Sequence, residues 1–252
     1  QENGVDVPYE IAGKNAHASN SVTLVRKNVH SVGVPFLLVQ GYTQHYKDGP
    51  LDAFMQAFEN KYNVSHRAEM RLVQITYSHH TYADSGDADL DTISRKVFAL
   101  SYTEVGYGAN YGISEGTALP LYTSNSARAK LLNSSTSASW WLRSVYPDYP
   151  PGVSGDHAYV VEDDGSKALV SVESTTQGAT PSHVINSTVL VSDTSDGNGV
   201  YSILYPDSTP GKPILSSPSG GYVSVDKEIT FSWQHVIDTG TDQTQADLQY
   251  SL

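Results

Sequence analysis

Apolar residues fall in short runs along this chain, and most runs have the length of a strand. Val22–Val25 and Val34–Val39 are two of them, divided by a polar stretch around Lys27–Ser31. Between Leu51 and Tyr62 the spacing changes. Leu51, Phe54, Met55, Phe58 and Tyr62 recur at helical intervals and make one apolar face, with Asp48 placed to cap and Pro50 suited to the first turn. A second helix is expected from Ser65 as N-cap, with Ala68, Leu72 and Ile75 inward. Residues 78–94 (SHHTYADSGDADLDTIS) read as a loop and Lys96–Leu100 as a short strand. The stretch 105–120 reads as irregular around Gly106, Gly108 and Gly112, and Ser124–Leu132 as a short helix. Tyr159–Val161 and Ala168–Val172 flank Glu162-Asp163-Asp164-Gly165, whose Asp-Gly step favours the positive φ angles of a tight hairpin. Val184–Val191 closes this region as a strand.

The organisation follows from these runs. Residues 1–19 are polar and read as an N-terminal arm, a tether to something upstream. Residues 20–205 form the main domain, with Val200–Tyr205 as a last apolar piece. Residues 206–212 are a linker within a stretch rich in Ser, Asp, Gly and Pro. From 213 to 252 the runs Ile214–Leu215, Tyr222–Val225, Ile229–Trp233 and Leu248–Tyr250 read as successive strands of a second domain that continues past Leu252.

Composition narrows the function classes. The 252 residues carry 15 Lys plus Arg against 27 Asp plus Glu, a net charge of −12 that disfavours a nucleic-acid partner. There is no cysteine, which excludes disulfides, thiolate nucleophiles and cysteine-based zinc sites. No run of 18 apolar residues exists, so no membrane insertion is expected, and no signal peptide is visible. Charged residues are only 17% of the chain while tyrosines number 17, a bias toward secreted or surface-exposed β-rich proteins.

Four stretches carry a family resemblance. They are Ser21-Val-Thr-Leu-Val-Arg-Lys27, Val97-Phe-Ala-Leu-Ser-Tyr-Thr-Glu-Val105, Arg128 within SNSARAKLLN, and Trp140-Trp-Leu-Arg-Ser144. In that order they resemble a WWLRS-type domain of unknown function that occurs in bacterial surface proteins and bacteriophage structural proteins. The resemblance implies an α+β fold of C-type lectin-like type, similar to that of the formylglycine-generating enzyme, with two helices on a small antiparallel sheet. It does not imply that enzyme's activity, which relies on cysteines. The family's closing Gly-Val-Arg-Pro segment is replaced here by Ser182-His183-Val184-Ile185-Asn186. The tail, ILSSPSGGYVSVDKEITFSWQHV through LQYSL, resembles the start of a fibronectin type III or immunoglobulin-like sandwich, incomplete at this length.

Candidate chemistry is sparse. On a strand, Trp140 and Leu142 share one face and Trp141 and Arg143 the other, which suits either a core strand or a sugar-stacking platform. Tyr146, Asp148, Tyr149, Asp156 and His157, in a Pro-rich segment after that strand, make the candidate ligand-binding loop, since tyrosine-rich loops suit recognition surfaces. A contact with a neighbouring subunit is the alternative use of the same loop. Asp87, Asp89 and Asp91 alternate as a calcium site would need, without the EF-hand glycine. No other cofactor is implied. His79-His80 lacks a zinc motif. Gly112-Ile-Ser-Glu-Gly116 has the G-x-S-x-G form but not the strand and helix that a nucleophile elbow needs. The reading is a non-enzymatic, oligomeric surface protein of a virion, with a module for bacterial cell-wall glycan or a surface receptor. Its alternatives are a purely structural part contacting other virion subunits, or a bacterial surface adhesin.

Overall fold

A computed structural model describes residues 1–38, 43–81, 89–110, 112–132, 135–146, 157–205, 215–217 and 232–233. Two compact units are present, Gln1–Thr188 and Val189–Leu252.

The first unit is mostly β. One antiparallel sheet contains β1 (Tyr9–Lys14), β2 (Ser21–Arg26), β7 (Val97–Phe98) and β14 (Ser182–Asn186) in the order β1-β2-β14-β7. A second contains β3 (Ser31–Val32), β10 (Trp140–Val145), β11 (His157–Val161), β12 (Lys167–Ser171) and β13 (Gly178–Ala179) in the order β12-β11-β10-β13-β3. Only its β10–β13 pairing is parallel. A third sheet runs β4 (Thr43–His45), β5 (Val73–Thr81), β6 (Asp89–Arg95), and β8 (Leu131–Leu132) pairs with β9 (Thr136–Ser137). The helices are short: α1 (Pro50–Phe58), α2 (Val64–Glu69) and α3 (Asn125–Arg128) have nine, six and four residues.

This corrects the expected α+β architecture of C-type lectin-like type. Several small sheets, rather than two helices on one sheet, make up the unit. The first helix forms where expected. Leu51, Met55 and Phe58 are buried, Pro50 occupies the first turn, and Gly49 rather than Asp48 is the N-cap. The second ends early. Asn63, not Ser65, caps α2 by accepting from the His66 N–H, and Leu72 is 65% exposed. Val73, Ile75 and Tyr77 then alternate with polar residues, and a period of two makes β5 instead of more helix. Much of the expected 78–94 loop is also strand. Among the described residues β6 is an edge strand, where charged residues such as Asp91 and Arg95 discourage pairing with other chains. The segment read as an arm contributes β1, bulged between Ile11 and Gly13, to the first sheet.

The core explains the sequence of β10. Every residue of Trp-Trp-Leu-Arg-Ser-Val is buried, because β10 lies between β11 and β13 and is covered on both faces. The indole N–H groups still find partners, Trp140 on the Arg128 carbonyl at 3.2 Å and Trp141 on the Val34 carbonyl at 2.8 Å. The β11–β12 hairpin forms at the expected place, with Gly165 at φ +81°.

In the second unit β15 (Leu190–Val191) pairs with β16 (Ile203–Leu204), and β17 (Leu215–Ser217) pairs antiparallel with β18 (Ser232–Trp233). The other strands expected after residue 213 lie outside the described residues.

Gly165 offers a test of the hairpin. A Cβ there would sit 1.8 Å from the Asn125 carbonyl oxygen, whereas one at Gly112, also at positive φ, would meet nothing within 4 Å. Both Ala variants carry the cost of the angle, roughly 1–2 kcal/mol. Gly165→Ala adds a backbone clash and is expected to lower the melting temperature well beyond Gly112→Ala, as measured by calorimetry.

Candidate functional site

The residues singled out in Trp140-Trp-Leu-Arg-Ser144 lie in the interior. Arg143 is completely buried, and each N–H of its guanidinium has an acceptor. Its Nε donates to the Thr76 carbonyl at 2.7 Å. One terminal nitrogen donates to the Ala99 carbonyl at 2.9 Å and to Glu104 Oε2 at 2.7 Å. The other donates to Glu104 Oε1 at 2.6 Å and to the Glu115 carbonyl at 3.1 Å. Burial opposes ionisation of Glu104, but Arg143 and the hydrogen bond from His17 hold its carboxyl at about 2. Glu115 is also fully buried, and burial pushes its carboxyl up. The Ser78 backbone N–H and the Ser144 hydroxyl donate to its two oxygens. Gly116, at φ +103°, leaves space that Glu104 needs, since a Cβ there would lie 2.8 Å from Glu104 Oε1. Glu115 and Gly116 of the G-x-S-x-G sequence thus line this buried network.

His17 bridges Thr23 Oγ1 at 2.9 Å and Glu104 Oε1 at 3.0 Å, an order of hydroxyl, imidazole and carboxylate that in an open cleft would suit nucleophilic catalysis. Thr23 is fully buried in the sheet, out of reach of any substrate. The arrangement therefore ties the N-terminal segment to the core.

The candidate binding loop emerges from β10 and returns at β11. Asp148, Tyr149 and Asp156 lie outside the described residues. Tyr146 and His157 stand at its two ends, joined by a hydrogen bond from the Tyr146 N–H to the His157 carbonyl at 3.1 Å, and both are partly exposed. Below them the tyrosine rings form a chain. Tyr146 meets Tyr159 edge-on at 6.0 Å, Tyr159 meets Tyr102 at 4.5 Å, and Tyr102 meets Tyr107 at 5.2 Å. Two cations border it. Lys167 lies over Tyr102 at 4.9 Å and donates to its hydroxyl, and the Arg128 guanidinium lies 4.5 Å from the centre of the Tyr107 ring. Burial raises the Tyr107 hydroxyl to about 12, and this hydroxyl donates to the Gly165 carbonyl at 2.7 Å. Tyr146, Tyr107 and Lys167 reach solvent. Next to the loop base, Asn110 donates to the Val145 carbonyl at 2.9 Å while its own carbonyl oxygen, buried, has no partner.

Of this patch, sequence reasoning named Tyr146 and missed Tyr102 and Tyr107. Tyr102 lies in the Val97–Val105 stretch and Tyr107 between Gly106 and Gly108, but nothing in their spacing links them to Tyr159. Glu104 was likewise hidden among 27 acidic residues.

Of the calcium candidates, Asp87 lies outside the described residues, Asp89 sits at the start of β6, and Asp91 is exposed on β6, accepting from the Tyr77 hydroxyl at 3.0 Å and from the Thr92 N–H at 2.7 Å. Among the described residues no group of three or more His, Asp or Glu side chains could hold a metal ion, and no helix is long and apolar enough to cross a membrane.

Comparison with known proteins places this architecture in a family. A domain of unknown function (DUF6273) matches residues 20–186, and the chain belongs to that family. No curated protein and no solved structure matches the chain.

Two measurements test the buried network. Arg143→Met leaves the Glu104 carboxylate buried and unpaired, with an expected loss of about 3–5 kcal/mol in urea denaturation, and Glu104→Gln in the same chain is expected to recover part of it. The depressed carboxyl of Glu104 also fixes a pH dependence. Its stabilisation is complete above the ordinary value of 4.5 and is lost as pH falls toward about 2. The single Glu104→Gln variant is expected to flatten that part of the stability profile.

Proposed function

We propose that this chain is a non-catalytic recognition module, displayed on a virion or bacterial cell surface, that binds a surface glycan through the tyrosine patch at the base of residues 147–156. The observation that carries this reading is the run of Tyr146, Tyr159, Tyr102 and Tyr107, with Tyr146, Tyr107 and Lys167 reaching solvent beside it. Tyrosine offers an apolar face for sugar C–H groups and a hydroxyl for hydrogen bonding, at the entropic cost of only two side-chain torsions. Glu104 is clamped by Arg143 and His17, and Glu115 by Ser144 and the Ser78 N–H, so these acids are engaged in structure rather than available for hydrolysis.

A second reading rests on β12. It is a terminal strand of its sheet among the described residues, and Leu169 on it is 39% exposed. An edge of this kind can pair with a neighbouring subunit, which suits a structural part of a particle.

The readings separate in a titration of the labelled chain onto bacterial cells, with and without periodate oxidation of their surface glycans. Glycan recognition is expected to give saturable binding that is lost after oxidation. Lys167→Ala, an exposed change, should weaken it about tenfold, equivalent to about 1.4 kcal/mol, with the melting temperature retained. Absence of binding even by a cross-linked multimer, which raises avidity, would overturn glycan recognition and favour the structural reading.

A further inference from the structure

A second chain of polar groups lies on the far side of the first sheet. The Arg26 Nε donates to both oxygens of Glu2, at 3.0 and 3.3 Å, so this carboxylate accepts only. The Tyr9 hydroxyl donates to Glu2 Oε1 at 2.6 Å. That commits its single proton, so in the 2.7 Å contact between Tyr9 and Tyr62 the donor is Tyr62. Tyr62 then has only a lone pair for His183 Nδ1 at 3.2 Å, and His183 carries its proton on Nδ1. A neutral His183 has a bare Nε2, so the 2.8 Å contact between the two Nε2 atoms is donated by His66. Five side chains, from α2 to the N-terminal segment, are thus oriented in one direction with both histidine tautomers set.

We propose that the His66–His183 pair is an acid-operated latch that holds residues 1–8 against the turn before α2 and β14 at neutral pH and releases them on acidification. Full protonation of the pair puts hydrogens on both Nε2 atoms and two charges 2.8 Å apart in the interior, and the contact cannot persist. His183 is packed edge-on against Tyr9 at 5.1 Å and against Tyr62 at 4.9 Å, so its displacement loosens both rings. The titratable and charged groups connected to the pair are Tyr9 from β1, Tyr62 from the turn before α2, Glu2, and Arg26 from β2. Among these only Glu2 is negative, and Arg26 already pairs with it. Burial lowers both imidazoles, His66 to about 4. Stabilisation by the neutral pair is therefore full above the ordinary 6.5 and fades as pH falls toward 4.

The release has local reporters. The Glu2 and Val5 N–H groups bond across their own turn at 2.8 and 2.9 Å, and the Asn3 N–H bonds the Lys61 carbonyl at 2.6 Å. Hydrogen exchange corrected for intrinsic rates is expected to quicken at least tenfold at Glu2, Asn3 and Val5 between pH 7 and pH 4. The Arg71 N–H, bonded to the Val184 carbonyl, should stay protected. Tyr62→Phe keeps the ring packing and cuts the chain of hydrogen bonds. It is expected to show the faster exchange already at pH 7 and little further change at pH 4. Nitrogen-detected NMR of the wild-type chain at pH 7 should find His183 protonated on Nδ1 and His66 on Nε2. The opposite tautomers, or exchange at residues 2–5 that ignores pH, would overturn the latch.

Discussion

The five donors of the Arg143 guanidinium meet five acceptors drawn from β5, the segment after β7, Glu104 and Glu115. A charge taken this far from water is tolerated only when paired and fully hydrogen-bonded. The requirement is strict, and it dictates much of what surrounds it. Glu104 must approach within bonding distance, so Gly116 has no side chain. The Thr76, Ala99 and Glu115 carbonyls must all point at one centre, so the short sheets and the irregular 105–120 stretch are held in register with β10. Three sheets, through β5, β10 and the segment that follows β7, converge on this one cation.

The same charge shows why parts of the fold were legible in the sequence and parts were not. Trp140-Trp-Leu-Arg-Ser144 reads as a distinctive strand because its two tryptophans fall on opposite faces and imply cover on both sides. The Asp164-Gly165 turn and the face of Leu51, Met55 and Phe58 were equally readable, since each depends on neighbours in sequence. β5 and β6 were obscured because histidines, aspartates and serines occupy one or both of their faces. Their strand character comes from pairing with each other, which local composition does not record. The expected lectin-like arrangement failed for the same reason, as α2 stops after six residues where β-branched alternation begins.

Of the candidate site, sequence reasoning located the loop and its two described ends, Tyr146 and His157. The rings of Tyr102 and Tyr107 join them only through tertiary contact. The buried histidine pair was not foreseen, because His66 and His183 are 117 positions apart.

The boundaries of the family match have a consequence of their own. The match begins at residue 20, yet β1 covers the outer edge of β2. Residues before position 20 also supply His17 to Glu104, Glu2 to Arg26 and Glu10 to the buried amine of Lys130. A fragment cut where the homology starts would strip the shielding strand from Val22 and Leu24. It would leave a bare ladder of backbone donors and acceptors and take one partner each from Glu104, Arg26 and Lys130. The family match is therefore shorter than the unit of folding in this chain, and a stably folded domain has to be drawn from the earlier start.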